Sequence, residues 1–214
     1  MNNSLDIDTA VLEILNKSNT ILVIQSDRPD GDSIASALFI EEVLEQRGKR
    51  VILYCGVAVP EYLRFIDGWD RITDELPKTV DCSIVVDNAA LALLEKFENH
   101  PDAIFIKTKP FIVADHHSAV SCDIPYVTHN ISRQGYASAG ELLYDIFIQY
   151  GYDISLQAKQ YVTQSILSDT LGLSNDLATP NTYRLIADFI ESGVDRAALE
   201  EARKKFSKMD IRVF

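Results

Sequence analysis

The chain has 214 residues, 47% of them hydrophobic, and a formal charge of −12, with a sequence pI near 4.7 and a mean hydropathy close to zero. That apolar content builds a core and argues against disorder, and the length fits one large domain or one and a half small ones. The acidic balance excludes a protein gripping long duplex DNA through a basic face; short oligonucleotides or nucleotides held through dications stay open, because bound dications reverse the local sign.

Taken in order, the start from Met1 to Asp6 lacks the basic region and apolar core of a signal peptide. No apolar run approaches the roughly 20 residues of a membrane span, so a cytoplasmic protein with no membrane partner is expected. Residues 5–17 place Leu5, Val11, Leu12, Ile14 and Leu15 on one face of an amphipathic helix. Thr20–Ile24 reads as a buried strand, and 33–47 as a helix stopped by Gly48. Further strands are expected at Arg50–Cys55, Cys82–Asp87 and Phe111–Asp115, with a fifth at Pro125–Val127. Their continuous apolar character suits strands covered on both faces. Short helical pieces are expected at 60–66 and 89–97, and longer helices at 138–150, 156–168, 179–192 and 196–206. The predicted fold is α/β, a mostly parallel sheet with helices on both faces, followed by a helical segment. Residues 208–214 read as the beginning of a strand or connecting segment, with Ile211, Val213 and Phe214 docked on the body or on a partner. Cys55, Cys82 and Cys122 lack C-x-x-C spacing and read as reduced thiols partly buried in strands.

The candidate chemistry lies where strands end. The turn Pro29-Asp30-Gly31-Asp32 joins the first strand to a helix, the third strand ends at Asp87, the fourth at Asp115-His116-His117, and the helix over 156–168 leads into Asp169. In a parallel sheet those strand ends share one edge, where ligands bind. Each residue has a bland reading. Asp30, Asp32 and Asp87 suit turns and helix N-caps, Asp115 suits a cap or salt bridge, Asp169 a loop, and the two histidines a surface. All of them at element ends in one chain point instead to a cation site, because converging carboxylates repel unless a cation lies between them. Hard oxygen donors with one or two nitrogens suit manganese or magnesium, with iron, cobalt or zinc as alternatives. His100 and His129 have no such context and read as loop and strand-end residues.

These stretches resemble the DHH family of phosphoesterases, which is related to the family II inorganic pyrophosphatases. Pro29-Asp30-Gly31-Asp32-Ser33-Ile34-Ala35-Ser36, Val85-Val86-Asp87, Asp115-His116-His117 and Ser168-Asp169-Thr170-Leu171-Gly172 stand in the family's order, over about residues 20–206. The chain is most similar to the nanoRNase and pAp-phosphatase branch. The resemblance implies a catalytic domain over 1–206, with 207–214 a tail or the start of a linker to a missing C-terminal substrate-binding domain. It implies hydrolysis of a phosphomono- or phosphodiester of a small nucleotide or short oligonucleotide, with Mn2+ as cofactor and Mg2+ or Co2+ as alternatives. Asp32, Asp87, His116 and Asp169 would hold one ion. Asp30 and Asp87 would hold the other, Asp87 bridging. His117 would face the substrate phosphate, and Asp115 would orient His116. Arg28 and Arg133 are weighed as phosphate contacts and favoured as solvated surface arginines.

Two departures stand out. Family members usually carry a His four residues before the first aspartate of the opening motif, where this chain has Ser26, so a weakened second ion site is expected. Nothing in the sequence resembles the family's C-terminal domain, so a cleft closed by a homodimer partner is one expectation. The competing readings are a catalytically impaired DHH domain that binds a nucleotide or a partner, and a receiver-like α/β domain whose acids are coincidental.

Overall fold

A computed structural model of the chain describes residues 3–117 and 121–210. In chain order the elements are α1 (Asn3–Lys17), β1 (Thr20–Ile24), α2 (Gly31–Glu45), β2 (Arg50–Tyr54), β3 (Cys82–Val86), α3 (Glu95–Glu98), α4 (Ala103–Ile106), β4 (Phe111–Ala114), β5 (His129–Asn130), α5 (Ala139–Gln149), α6 (Leu156–Asp169), α7 (Pro180–Glu191) and α8 (Arg196–Asp210). The strands form one parallel sheet in the order β2-β1-β3-β4-β5.

Strands β1, β3 and β4 are mostly apolar because both faces of the sheet are covered there. Ile21 and Val23 of β1 face a core shared with α1, α2, α5, α6 and α7, while Leu22 and Ile24 face a smaller core that includes Phe97, Ile106 and Phe111. Helix α2 is buried from Gly31 to Leu44 except at Glu42, as expected for a helix covered nearly all round. It closes onto α6 at Gly31, where a Cβ would stand 2.5 Å from Ser168 Oγ.

From β1 the chain goes outward to β2 and then returns to β3 on the other side. The carboxyl ends of β1 and β3 therefore flank a topological switch point, the crevice in which open α/β sheets bind ligands. The turn carrying Asp30 and Asp32 follows β1, and Asp87 follows β3.

The expected strands and long helices are present, with local differences. The fifth strand is not at 125–127 but at His129–Asn130, paired with Ile112 and Val113. Residues 124–127 form a turn closed by the Val127 N–H on the Ile124 carbonyl. The piece over 60–66 is a single 3-10 turn, Glu61–Leu63. The piece over 89–97 is split into a 3-10 turn at Leu91–Leu93 and the short α3. Asn88 makes a local turn by accepting from the Ala90 N–H at 2.9 Å, and Asp27 accepts from the Lys96 N–H at 2.8 Å, so a continuous helix is interrupted at both ends. Residues 208–210 continue α8, and 211–214, with the expected docking of Ile211, Val213 and Phe214, lie outside the described residues. Of the thiols only Cys82 lies within a strand; Cys55 follows β2 and Cys122 lies in a loop. Among the described residues, no helix is long and apolar enough to cross a membrane.

Candidate metal centre

Asp30 caps α2: its Oδ1 accepts from the Ser33 N–H at 2.9 Å, and the Asp30 N–H donates to Ser33 Oγ at 2.9 Å. The plain cap reading therefore holds for Asp30, yet its carboxyl also meets that of Asp87. Asp32, in the first turn of α2, has no solvent exposure. Its Oδ1 accepts from the Ser36 and Ser165 hydroxyls, each at 2.7 Å, and its Oδ2 accepts from the Ala139 N–H at 2.7 Å. Asp32 thus lies in the first turn of α2 and against the first turn of α5, where backbone dipoles favour negative charge. Gly140 makes the close approach possible, because a Cβ there would stand 2.4 Å from Ser165 Oγ.

Asp87 has φ of 57°, in the left-handed region that Asp and Asn tolerate better than most side chains. It caps no helix, contrary to its bland reading. From β4 and α6 come the remaining groups. His116 Nε2 lies 3.0 Å from Asp169 Oδ2, 3.4 Å from Asp32 Oδ2 and 3.5 Å from Asp87 Oδ1. His116 Nδ1 lies 3.2 Å from the Tyr136 carbonyl. A carbonyl only accepts, so Nδ1 carries the hydrogen, and Nε2 is the ring atom turned towards three carboxylates.

That arrangement is costly unless positive charge lies within it. Burial and the Asp32 charge raise Asp87 well above the usual carboxylate range. Burial, with the charges of Asp32 and Asp30, raises Asp169 to about 6. Burial opposes charging His116, but the nearby Asp169 and Asp87 carboxylates push it up to about 11. His116 Nε2 and Asp87 Oδ1 are both buried with no well-formed hydrogen-bond partner. Donor atoms of Asp32, His116 and Asp169 lie within 4.8 Å of one another, as do those of Asp87, His116 and His117. One imidazole nitrogen among carboxylate oxygens is a donor set that fits a hard-to-borderline divalent ion.

His117 is half exposed, and its Nδ1 lies 2.6 Å from Asp115 Oδ1 and 3.6 Å from Asp87 Oδ1. The Asp115 contact raises His117. A cavity of about 240 Å3 opens beside these groups, bordered by His116, His117, Tyr136, Asp169 and Leu177.

The segment after Asp169 is unusual. Leu171, Gly172 and Leu173 are successive left-handed residues, with φ of 51°, 79° and 71°. For a non-glycine residue that conformation costs roughly 1–2 kcal/mol. Hydrogen bonds return the loop to α6: Gly172 N–H to the Leu167 carbonyl at 2.8 Å, Leu173 N–H to Thr170 Oγ1 at 2.9 Å, and Asn175 Nδ2 to the Asp169 carbonyl at 2.8 Å.

Asp32, Asp87, His116 and Asp169 are thus brought together, with Asp30 at the exposed rim. Asp115 does not orient His116; its carboxylate is spent on His117, and the Tyr136 carbonyl takes the orienting position. Arg133 is not a solvated arginine, since it is ion-paired with the buried Asp8, whereas Arg28 is exposed. Ser26 is buried, and its Oγ accepts from the Arg28 N–H at 3.1 Å. Sequence reasoning missed Ser36 and Ser165. A signal existed: each stands four residues along a helix from one of the acids, Asp32 and Asp169, and so on the same face.

A family model described as the DHH family, N-terminal domain, matches residues 20–172. The bifunctional oligoribonuclease and PAP phosphatase NrnA of Thermus thermophilus is 25% identical over 176 residues, covering 81% of this chain and 50% of that protein. The chain spans half or less of the length of the curated relatives it matches. Among solved structures, an exopolyphosphatase-related protein from Bacteroides fragilis superposes with a TM-score of 0.83 at 20% identity, over 93% of this chain and 60% of that one. A candidate family II inorganic pyrophosphatase of Methanococcus jannaschii gives 0.58 at 16% identity, over 88% and 60%. At such identities the two superpositions establish a shared fold.

Proposed function

Because the chain belongs to the DHH family, we propose that it is a metal-dependent phosphoesterase, hydrolysing a phosphomono- or phosphodiester of a small nucleotide or short oligonucleotide. The observation that carries this reading is the convergence of three carboxylates on the Nε2 of His116. Asp32, Asp87, His116 and Asp169 would hold one ion, and Asp30 with Asp87 a second, weaker one; Mn2+ suits the donors best, with Mg2+ or Co2+ as alternatives. Bound divalent ions supply positive charge against phosphoryl oxygens and lower the pKa of an attacking water.

The chain's own residues do the rest. The Tyr136 carbonyl fixes the His116 tautomer, so that Nε2 faces the acids. Two serine hydroxyls and a backbone N–H fix Asp32, so its carboxylate needs no reorganisation. His117 spends Nδ1 on Asp115 and has Nε2 for the substrate. The Asp115 contact raises its affinity for a proton, and when protonated its Nε2 would donate to a phosphoryl or leaving oxygen. The nucleotide preference is drawn from the Thermus relative, and the cavity beside His117 is where the ester would sit.

The test is Mn2+-dependent hydrolysis of bis(p-nitrophenyl) phosphate, then of pAp and dinucleotides, beside His116→Ala. The expected result is turnover with Mn2+, lost in EDTA and in the variant. Turnover indifferent to both would reject the reading. A second reading, a nucleotide-binding module with impaired catalysis, is favoured by Ser26, whose hydroxyl is engaged by the Arg28 N–H. It predicts nucleotide binding without product release.

A further inference from the structure

Helix α8 lies beyond the residues that match the family model, yet it bears on the loop that follows Asp169. Arg196 Nη2 donates to the Gly172 carbonyl at 3.3 Å. One turn further on, the buried Glu200 presses its carboxylate against Gly172, where a Cβ would stand 2.5 Å from Glu200 Oε1. That carboxylate is itself held in place by Arg203, at 2.8 and 2.9 Å, and by Lys204 at 3.1 Å. From α7, the Tyr183 hydroxyl donates to the Leu173 carbonyl at 2.8 Å.

Gly172 is the centre of the left-handed run Leu171-Gly172-Leu173. Backbone in so sparsely populated a region persists only when its surroundings over-determine it, and such segments gather at functional sites. Here the surroundings are the loop's own bonds back to α6 and the contacts from α7 and α8. The same loop returns Asn175 to the Asp169 carbonyl, so its shape fixes the backbone of the acid that meets His116.

We propose that Arg196 and Glu200 are positioning residues, which clamp the left-handed loop from α8 and thereby hold the Asp169 carboxylate in the metal centre. This rests on the reading of Asp169 as a metal ligand. Neither residue touches the centre; both act through Gly172.

The experiment measures Mn2+ affinity by electron paramagnetic resonance, with thermal melts in parallel, for wild type, Asp169→Asn, Arg196→Ala, Glu200→Ala and the double variant Leu171→Gly/Arg196→Ala. The expected result is affinity weakened about tenfold by Arg196→Ala and by Glu200→Ala, the scale seen when supports of metal ligands are removed. Leu171→Gly should recover most of the loss in the double variant, because glycine adopts left-handed backbone without strain; a merely structural role for Arg196 would not show that rescue. Wild-type affinity in Arg196→Ala and Glu200→Ala, alongside a weakened Asp169→Asn, overturns the clamp alone. Wild-type affinity in Asp169→Asn overturns the ligand reading, and the clamp with it. Should Arg196→Ala fail to fold, Arg196→Lys keeps the charge, loses the planar fork and gives the same comparison.

Discussion

The Ser165 hydroxyl donates to Asp32 Oδ1 at 2.7 Å across 133 positions of sequence. One hydrogen bond therefore ties the start of α2 to the last turns of α6. Removing it in Ser165→Ala deprives a buried carboxylate of a donor, a loss of about 1.5–3 kcal/mol for a bond to a charged group. The melting temperature should fall and Mn2+ affinity should drop about tenfold, read by thermal melts and calorimetric titration. Unchanged values would mean that Ser36 and the Ala139 and Gly140 N–H groups suffice to hold Asp32.

Asp87→Asn should have opposite effects with and without metal. Asp87 is buried beside Asp32, which raises it well above the usual carboxylate range. Ionising a group so raised works against the fold near neutral pH. In EDTA at pH 7 the variant should melt above wild type. In saturating Mn2+ it should be the less stable, having lost a ligand. Melts under the two conditions decide, and the same ranking in both would remove Asp87 from the centre.

Ser26→His should strengthen the second ion site. The change gives up the acceptor of the Arg28 N–H and supplies a nitrogen donor at the position where the resemblance leads one to expect histidine. Calorimetric titration should show a second Mn2+ bound, or bound more tightly. A stoichiometry and affinity equal to wild type would count against a second site in this crevice.

Acid sensitivity should have a contribution far from the metal. Asp81 accepts from the backbone N–H groups of Thr20, at 2.9 Å, and Asn19, at 2.8 Å, and these lower its pKa below 3.8. A lowered carboxylate stabilises the fold above its unfolded value and ceases to do so as pH falls through the folded one. Asp81→Ala should therefore melt below wild type at pH 6, and the gap should narrow towards pH 3. A gap constant across that range would sever the effect from ionisation.

Much of this was legible in the sequence. Strands β1, β3 and β4 are buried on both faces, so they stand out as unbroken apolar runs. Asp32, Asp87 and His116 closely follow such runs, whose ends a parallel sheet gathers at one edge, and Asp169 ends the helix α6. The two-residue β5 was not legible, because His129 and Asn130 are held by pairing with β4 and carry no apolar signature. The break at 89–97 came from side chains of Asn88 and Asp27, which helical periodicity ignores. The partner of Asp115 was misread for a simple reason: adjacent histidines both fit the motif, and only the path of the chain after β4 decides which ring the carboxylate meets. The ion pair of Arg133 with Asp8 joins the segment after β5 to α1 across 125 positions of sequence, beyond any local pattern.

The left-handed backbone at Asp87 limits what that position can become. Asparagine tolerates the same torsions, keeps nearly the same shape and carries no charge, and its codons differ from those of aspartate by a single base. If the crevice holds metal as proposed, a lineage could thus discharge one of its ligands while preserving the crevice, leaving a protein that still folds and still has the pocket.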